Sequence, residues 1–352
     1  MAKNDFLAFA TAATALVEDQ ASWETEPVVS DGFQDGIADA AKCNKAWRQA
    51  GFPGASVSEW VNQQLLTVPI PDDGDVQNWV DNFDAALRKV IGSIAKPKLT
   101  SALTVYVSPS GNDAHDGLTP ATAFATIQRG VDYILYNFDS NGFACTVSVA
   151  AGTYAAGATV EAPLTGHGSL TITTTGGLVT INALGIGFFA IGGGVLNLQG
   201  NFLVNVAFET GAPNAVLCAE VAGRINIWGA PGQYFQFGTS QQHIYPAAGG
   251  YIGSSGGYII AASANVHWYA SQGATMLISP ATITVAPGLT FGTFAIATEV
   301  AVIDCGGLTF TNSAVGTRYG VSGNSIINTG AGGESYLPGS TPGSKATGGQ
   351  YY

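Results

Sequence analysis

The chain has 352 residues, of which 46% are apolar and only 10% are charged, and its 24 acidic and 12 basic side chains give a net charge of −12. Disordered chains combine few apolar residues with high charge, so this composition excludes a globally disordered protein. A surface this acidic repels phosphate, and we therefore expect protein or sugar partners and no nucleic acid. No apolar run reaches the roughly 18 residues of a membrane span, so we expect no membrane insertion.

Charges and glycines are unevenly divided along the chain. The first 100 residues hold 8 of the 12 basic and 14 of the 24 acidic side chains but only 6 of the 47 glycines. The change falls near Lys96-Pro97-Lys98, where the proline disfavours helix and leads into an extended run. We therefore predict a helical module at residues 1–98, followed by a glycine-rich body.

Apolar spacing predicts four helices in this module, at residues 5–20, 36–49, 56–65 and 76–94. The sequence Gly51-Phe52-Pro53-Gly54 is expected to separate the second helix from the third. The module has no nucleophile beside a base, no phosphate loop and no ligand cluster. It is therefore predicted to be an adaptor without chemistry of its own.

Two segments of the module carry a resemblance to a known family. Residues 31–36 read Asp-Gly-Phe-Gln-Asp-Gly, and residues 44–49 read Asn-Lys-Ala-Trp-Arg-Gln. Over roughly residues 20 to 90 the chain resembles the opening module of tail-fibre and tail-associated proteins of bacteriophages. The resemblance implies that residues 1–98 attach the protein to the phage tail or baseplate.

Residues 99–145 form a distinct entry segment. Residues 105–113 favour a short strand and a turn, and residues 126–136 favour an amphipathic helix. This stretch resembles the start of right-handed parallel β-helix proteins, which include phage tailspikes and pectate-lyase-like proteins. In that family the helix plugs the open end of the coil, where exposed strand edges would otherwise recruit other chains.

Short runs that alternate apolar with small polar residues follow through residues 146–316, and glycines mark their ends. They lie at residues 146–149, 170–173, 195–198, 225–228, 283–285 and 308–310. Most of them lie about 23 to 33 residues apart, which is close to one coil of a β-solenoid. A β-sandwich remains the alternative, although its turn signals recur about every 8 to 12 residues.

Residues 317–352 are rich in Gly, Ser and Pro and are predicted to be an extended C-terminal segment. They resemble the end of many phage tail proteins, with an Arg-Tyr strand, a Pro-Gly turn and a final Gly-Gly-x-Tyr. Together the resemblances imply a mainly β chain that forms a right-handed parallel β-helix behind an α-helical module. They also imply a homotrimer, located in the virion tail after synthesis in the host cytoplasm, that adsorbs to host-surface polysaccharide.

Few charged groups are available in the body for catalysis. Glu209, Glu220 and Arg224 lie within one candidate coil and could serve a glycosidase or a lyase, although solvated surface acids are the simpler interpretation. Asp304 lies in an apolar run, where it could be a proton donor or could bind backbone N–H groups at a coil corner. We predict no catalytic site and keep a polysaccharide depolymerase as the alternative. A free extracellular pectate-lyase-like enzyme is disfavoured because residues 1–17 do not form a convincing signal peptide.

The four cysteines lie far apart, with no Cys-x-x-Cys pair and no histidine cluster. This spacing favours buried small side chains over disulfides or a zinc site. We therefore predict no metal and no cofactor.

Aromatic side chains are concentrated in a region of the body that has almost no charge. Because sugar C–H faces stack on aromatic rings, five of these residues are glycan-binding candidates. They are Trp228, Tyr234, Tyr245, Trp268 and Tyr269. The alternative, that these rings fill the core or a subunit interface, is left open by the sequence.

Overall fold

The computed structural model describes residues 14–32, 39–65, 76–94, 96–229 and 234–352. Contacts between residues divide the chain into two compact units, Met1–Lys96 and Pro97–Tyr352. The division lies beside Lys96-Pro97-Lys98, where charge and glycine content change.

The first unit is helical. Its helices are α1 (Gln20–Thr25), α2 (Pro27–Asp31), α3 (Ala40–Leu65) and α4 (Val76–Ile94). Helices α3 and α4 pack through the buried Val61 and Ala86, with aromatic rings around them. The rings of Trp79 and Phe83 stack with centroids 5.4 Å apart, so aromatic side chains of α4 contribute to this small core.

The helix over residues 76–94 is confirmed, whereas the break predicted at residues 51–54 is wrong, because α3 continues through Pro53. Both halves of α3 are held by neighbours: the Trp23 indole donates to Gln49 at 2.9 Å, and Val61 packs on α4. Such contacts offset the lost hydrogen bond and the clash of a helical proline. Residues 14–19 of the first predicted helix are not helical, and residues 5–13 and 36–38 lie outside the described residues.

The described residues of the second unit form β-strands, most of them short, and an α-helix. In chain order its elements are β1 (Leu103–Val107), a 3₁₀ turn (Pro120–Thr122), α5 (Ile127–Asn137), β2 (Cys145–Tyr154), β3 (Ala158–Val160), β4 (Leu170–Leu184), β5 (Ile186–Ala190), β6 (Val195–Gln199), β7 (Phe202–Ala207), β8 (Ala215–Ala219), β9 (Arg224–Trp228), β10 (Gln236–Phe237), β11 (Gln242–Pro246), β12 (Tyr251–Ser255), β13 (Ile259–Ile260), β14 (Ala264–Ala270), β15 (Thr275–Ile278), β16 (Thr282–Val285), β17 (Thr290–Ala297), β18 (Val302–Asp304), β19 (Thr309–Phe310), β20 (Val315–Val321), β21 (Ile326–Asn328), β22 (Ser344–Lys345) and β23 (Gln350–Tyr351).

These strands stack into three parallel faces, and each turn of the chain visits the faces in order. Face A contains β1, the first halves of β2 and β4, and then β6, β9, β12, β15, β18, β21 and β23. Face B contains the second halves of β2 and β4, and then β7, β10, β13, β16 and β19. Face C contains β3, β5, β8, β11, β14, β17, β20 and β22.

The body is therefore a parallel β-solenoid of about eight turns, since each turn adds one strand to the 8-stranded face C. Residues stacked on consecutive turns are 24 apart at Asp304 and Asn328 and 29 apart at Asn197 and Asn226. This confirms the solenoid prediction. The β-sandwich is excluded because each strand pairs in parallel with a partner one full turn away.

The core runs along the inside of the solenoid as columns of stacked apolar side chains. On face A, Val147, Ile172, Leu198 and Ile227 occupy equivalent positions on four consecutive turns, and all are buried. Like side chains in register exclude water along the whole body, which supplies the stability that isolated short strands lack.

Helix α5 closes the first turn. Thr126 accepts from the Arg129 N–H as the N-cap, and Val131, Ile134 and Leu135 are buried. The helix packs on β1, β2 and β3, and a Cβ added at Gly130 would lie 2.9 Å from Val147. The predicted cap helix is therefore present, and its glycine allows it to approach the strands closely.

Residues 317–352 differ from the extended segment we expected, because they form the last turn of the solenoid. Strand β20 pairs with β17, β22 with β20 and β23 with β21. Although this segment is rich in Gly, Ser and Pro, it supplies core side chains, since Tyr319, Ile327 and Tyr351 are buried. The rings of Tyr319 and Tyr351 stack with centroids 3.7 Å apart.

The corner between face C and face A has the same backbone conformation on successive turns. Two consecutive residues have positive φ, as at Ala248 and Gly249 (47° and 73°) and at Glu299 and Val300 (57° and 65°). The backbone N–H groups at these corners bind the next turn, for example Val300 N–H to Gly323 O at 2.9 Å. Glycine suits the second position because left-handed backbone strains residues with a Cβ.

Candidate functional site

An exposed aromatic side chain lies on the outer surface of face A. Trp228, the last residue of β9, is 52% exposed. It lines a cleft of about 280 Å³ that also includes Tyr251, Ser255 and Leu277 on the following two turns. Trp228 is paired in register with Ser255, so the indole borders a small side chain on the next turn.

Tyr251 forms the other wall of this cleft, and Arg224 covers its ring. The Arg224 guanidinium lies 4.4 Å from the centre of the Tyr251 ring, within cation–π range. A Cβ added at Gly253 would lie 2.6 Å from the Tyr251 hydroxyl, so the ring crosses the position that a side chain at 253 would fill. The absence of a side chain at Gly253 therefore lets the Tyr251 ring lie along the sheet.

A ladder of amides begins at Asn226 in this cleft and runs back over the preceding turns. Asn226 donates to the Asn197 side chain at 3.0 Å, and Asn197 donates to the Leu170 carbonyl at 3.1 Å. Asn226 itself lines the cleft. Aromatic walls together with an amide match the apolar faces and the hydroxyl groups of a sugar.

The other predicted aromatic residues lie in different places. Tyr245 and Tyr269 are half-buried on the outside of face C, with ring centroids 5.1 Å apart. Tyr234 is 37% exposed, and its ring is 3.9 Å from the position of a Cβ at Gly257. Tyr234 thus lies near Gly257, just after β12 of the cleft, whereas the Tyr245–Tyr269 pair belongs to another face.

The position of Trp268 contradicts its predicted role in glycan binding. Its side chain is fully buried inside the solenoid, where it packs edge-on against Phe294 at 5.1 Å. The prediction that it binds glycan is wrong because no face of the indole reaches solvent. The core alternative holds for this residue.

Trp268 instead begins a buried chain of hydrogen bonds. Its indole Nε1 donates to the Tyr258 hydroxyl at 2.9 Å, and that hydroxyl is 3.0 Å from His267 Nε2. His267 Nδ1 is 2.8 Å from His243 Nδ1, and His243 Nε2 is 2.9 Å from the Gly238 carbonyl. Burial lowers the pKa of both histidines, so both are neutral. With both neutral and the Gly238 carbonyl an acceptor, His243 donates through Nε2, His267 donates through Nδ1 and Tyr258 donates to His267.

The candidate catalytic carboxylates are not brought together. The Glu209 N–H donates to the Asn214 side chain just before β8, and Glu220 directly follows β8, a strand of five residues that spans about 16 Å. A glycosidase pair needs its carboxyl groups about 5 to 10 Å apart. Arg224 covers the Tyr251 ring, and no hydrogen bond or ion pair joins these three residues in the described structure.

Asp304 is in neither predicted setting. It is the last residue of β18, half-exposed, and its side chain accepts from the Asn328 amide at 3.2 Å. Asp304 is therefore a strand residue whose side chain is hydrogen-bonded to a polar side chain on the next turn.

No group of three or more His, Cys, Asp or Glu side chains within the described ranges is arranged to hold a metal ion. Among the same residues, no helix combines the length and the apolar character that crossing a bilayer requires. Cys145, Cys218 and Cys305 are buried and Cys43 is half-buried, all four as free thiols.

Sequence reasoning missed the pairing of Arg224 with Tyr251 and assigned Arg224 to a possible enzymatic trio. The two residues are 27 positions apart and meet because they occupy equivalent positions on β9 and β12. This pairing can be predicted only when the number of residues in each solenoid turn is known.

Comparison of the chain with protein-family models, with curated proteins and with solved structures finds no match.

Proposed function

We propose that this chain is a bacteriophage tail fibre or tailspike protein that adsorbs to host-surface glycan. In this proposal residues 1–98 attach it to the tail or baseplate, and the body is a right-handed, trimeric β-helix in the virion. The phage-like segments at residues 31–36, 44–49 and 317–352 support the tail assignment.

The observation that carries glycan binding is the cleft formed by Trp228 and Tyr251. It combines an exposed indole, a phenol ring under a guanidinium and an amide ladder on a rigid sheet. Rigid aromatic groups bind with little loss of side-chain entropy. Binding by stacking requires no acid–base pair, in keeping with the separation of Glu209 and Glu220.

The test of the tail assignment is to identify the chain by mass spectrometry in purified particles of the phage that encodes it and to locate it by immunogold labelling. We expect label on the tail. A particle without the chain would contradict the assignment.

The depolymerase alternative is tested on the same glycan. We expect binding without release of reducing ends, and unchanged binding when Glu209, Glu220 and Asp304 are replaced by their amides. Release of oligosaccharides that is lost in one amide variant would establish the enzyme instead.

A further inference from the structure

A second cleft, of about 470 Å³, lies at the C-terminal end of the body. Its walls are β19 with the residues that follow it, Arg318 of β20, and residues 335–339. It shares no lining residue with the Trp228 cleft.

The aromatic wall of this cleft is fixed. The Tyr336 hydroxyl accepts from the Leu308 N–H at 2.5 Å and donates to the Cys305 carbonyl at 2.8 Å. The ring meets Phe310 nearly perpendicularly, with centroids 6.1 Å apart. Because both ends of Tyr336 are held, a ligand can stack there at little entropic cost.

Arg318 supplies an uncompensated charge. Its Nε is buried and has no hydrogen-bond partner among the described residues. Space for its side chain depends on Gly339, where an added Cβ would lie 2.8 Å from Arg318 Cγ. Arg318 lines the cleft and has no ion-pair partner among the described residues, so its guanidinium can bind an anionic ligand.

The other cations of the body after β2 are already engaged. Lys345 donates to Glu334 at 2.8 Å, and Arg224 covers the Tyr251 ring. Glu334, next to the cleft in sequence, also accepts from the Tyr319 hydroxyl. The acid closest to the cleft in sequence is thus committed to other partners, which leaves Arg318 for a ligand.

Side chains with hydroxyl groups complete the lining. They belong to Thr309, Thr311, Ser313 and Ser335. A fixed aromatic ring, several hydroxyl groups and one unpaired guanidinium together fit a sugar that carries a carboxylate. A simple anion would use only the guanidinium.

We propose that this cleft binds a hexuronate residue of an acidic polysaccharide, with the sugar carboxylate on Arg318 and the sugar ring against Tyr336. The inference rests on the proposed function and assigns the glycan to the acidic class. Arginine matches a carboxylate through paired N–H donors, a geometry that lysine lacks.

The test uses the full-length chain and isothermal titration calorimetry with oligomers of mannuronate and of glucuronate. The matched ligands are the same oligomers with their carboxyl groups reduced to alcohols, and inorganic phosphate is the simple-anion probe. The variants are Arg318→Met and Arg318→Lys, with Lys345→Met as the matched loss of a cation elsewhere. Thermal unfolding establishes that each variant is folded.

We expect at least one hexuronate oligomer to bind more tightly than its reduced form. Arg318→Met should weaken it at least tenfold and remove the preference, Arg318→Lys should restore part of the affinity, and Lys345→Met should leave it unchanged. Failure of both oligomers to bind, an unchanged preference in Arg318→Met, or equally tight binding of phosphate would overturn the proposal. So would a carboxylate of a second copy of the chain filling the cleft.

The proposed function can fail separately. Loss of binding to host glycan in Trp228→Ala with no effect of Arg318→Met would sustain adsorption and reject the hexuronate site. Hexuronate binding that depends on Arg318, by a chain that is absent from phage particles, would sustain the hexuronate site and reject the proposed tail function.

Discussion

His243 and His267 link the stability of the body to pH. Burial lowers the pKa of His243 to about 4, against a small opposing effect of its hydrogen bond to the Gly238 carbonyl. Burial also lowers the pKa of His267 well below its ordinary value, and the neighbouring His243 adds to this. The groups packed around the pair are the rings of Phe237, Tyr258, Trp268, Phe291 and Phe294, which carry no charge to offset a proton.

We therefore expect the free energy of unfolding to fall as the pH is lowered from about 6.5 toward 4. In this window the unfolded chain binds protons that the folded chain excludes, and the stability is fully present above about pH 6.5. The expected loss between pH 6.5 and 5 is roughly 1.5 kcal/mol for His243, and His267 adds to it in the same direction. Denaturant titrations at several pH values measure it.

The control is the double variant His243→Gln, His267→Gln, whose amides do not titrate. It should be less stable at pH 7 and should lose less stability on acidification. A variant with the same pH dependence as the wild type would show that other groups are responsible.

Val300 is a second residue whose effect can be predicted. It is 64% exposed and has a φ of 65°, at the corner position where Gly249, Gly273 and Gly348 stand on other turns. Left-handed backbone costs a β-branched residue about 1 to 2 kcal/mol, more than the entropy that glycine adds. We expect Val300→Gly to stabilise the body by about 0.5 to 1 kcal/mol in thermal unfolding. Val302→Gly, in strand β18, is the matched control and should destabilise it; the same sign for both would contradict the corner argument.

At the scale of elements, helix α5 protects the first turn. Ile134 is fully buried against the solenoid, while Tyr136 on the same helix is 55% exposed. A carboxylate at position 134 would be buried without a partner and would detach the helix, which uncovers strand edges that pair with other chains. We expect Ile134→Asp to aggregate in sedimentation velocity and Tyr136→Asp to stay unaggregated. Equal behaviour would mean that α5 is not the cap.

The class of fold could be predicted from the sequence, but the strands of each solenoid turn could not be assigned correctly to the three faces. Runs such as residues 146–149 and 225–228 have strand composition and lie on face A, as their spacing suggested. Residues 283–285 and 308–310 were counted in the same series, yet they lie on face B. Strands of two residues, such as β10 and β13, are too short for an alternating pattern to be seen, so three strands per turn could not be counted.

The same limit applies to the site. Alternation with Ile225 and Ile227 is consistent with an exposed Trp228, whereas the residues around Trp268 give no such pattern. Strand β14 places three consecutive residues, Val266, His267 and Trp268, inside the body, which breaks the period of two. The Arg224–Tyr251 pair depended on register between turns, which composition does not contain.

At the scale of the whole molecule, the two units differ in composition and should be separable. We expect a protein of residues 97–352 to fold alone with a β-type circular dichroism spectrum, since its core lies within the solenoid and α5. It should enter phage particles poorly, because the proposed attachment module is missing. Normal incorporation would place attachment in the body.

The same protein tests the proposed trimer. A charge-poor outer surface that carries exposed apolar side chains, among them Val195, Leu277 and Val315, favours association between copies. Sedimentation equilibrium should give three times the mass of one chain. A stable monomer at micromolar concentration would contradict the trimer while leaving the solenoid intact.

Binding of the full-length chain and Trp228→Ala to an array of bacterial surface polysaccharides tests the central claim most directly. Val195→Ala, which trims another exposed apolar side chain of face A, is the matched control. The account predicts that the wild-type chain and the control bind the same glycan and that Trp228→Ala binds it about tenfold more weakly, as expected for a lost stacking contact. Equal binding by Trp228→Ala, or no glycan bound by the wild-type chain, would contradict it.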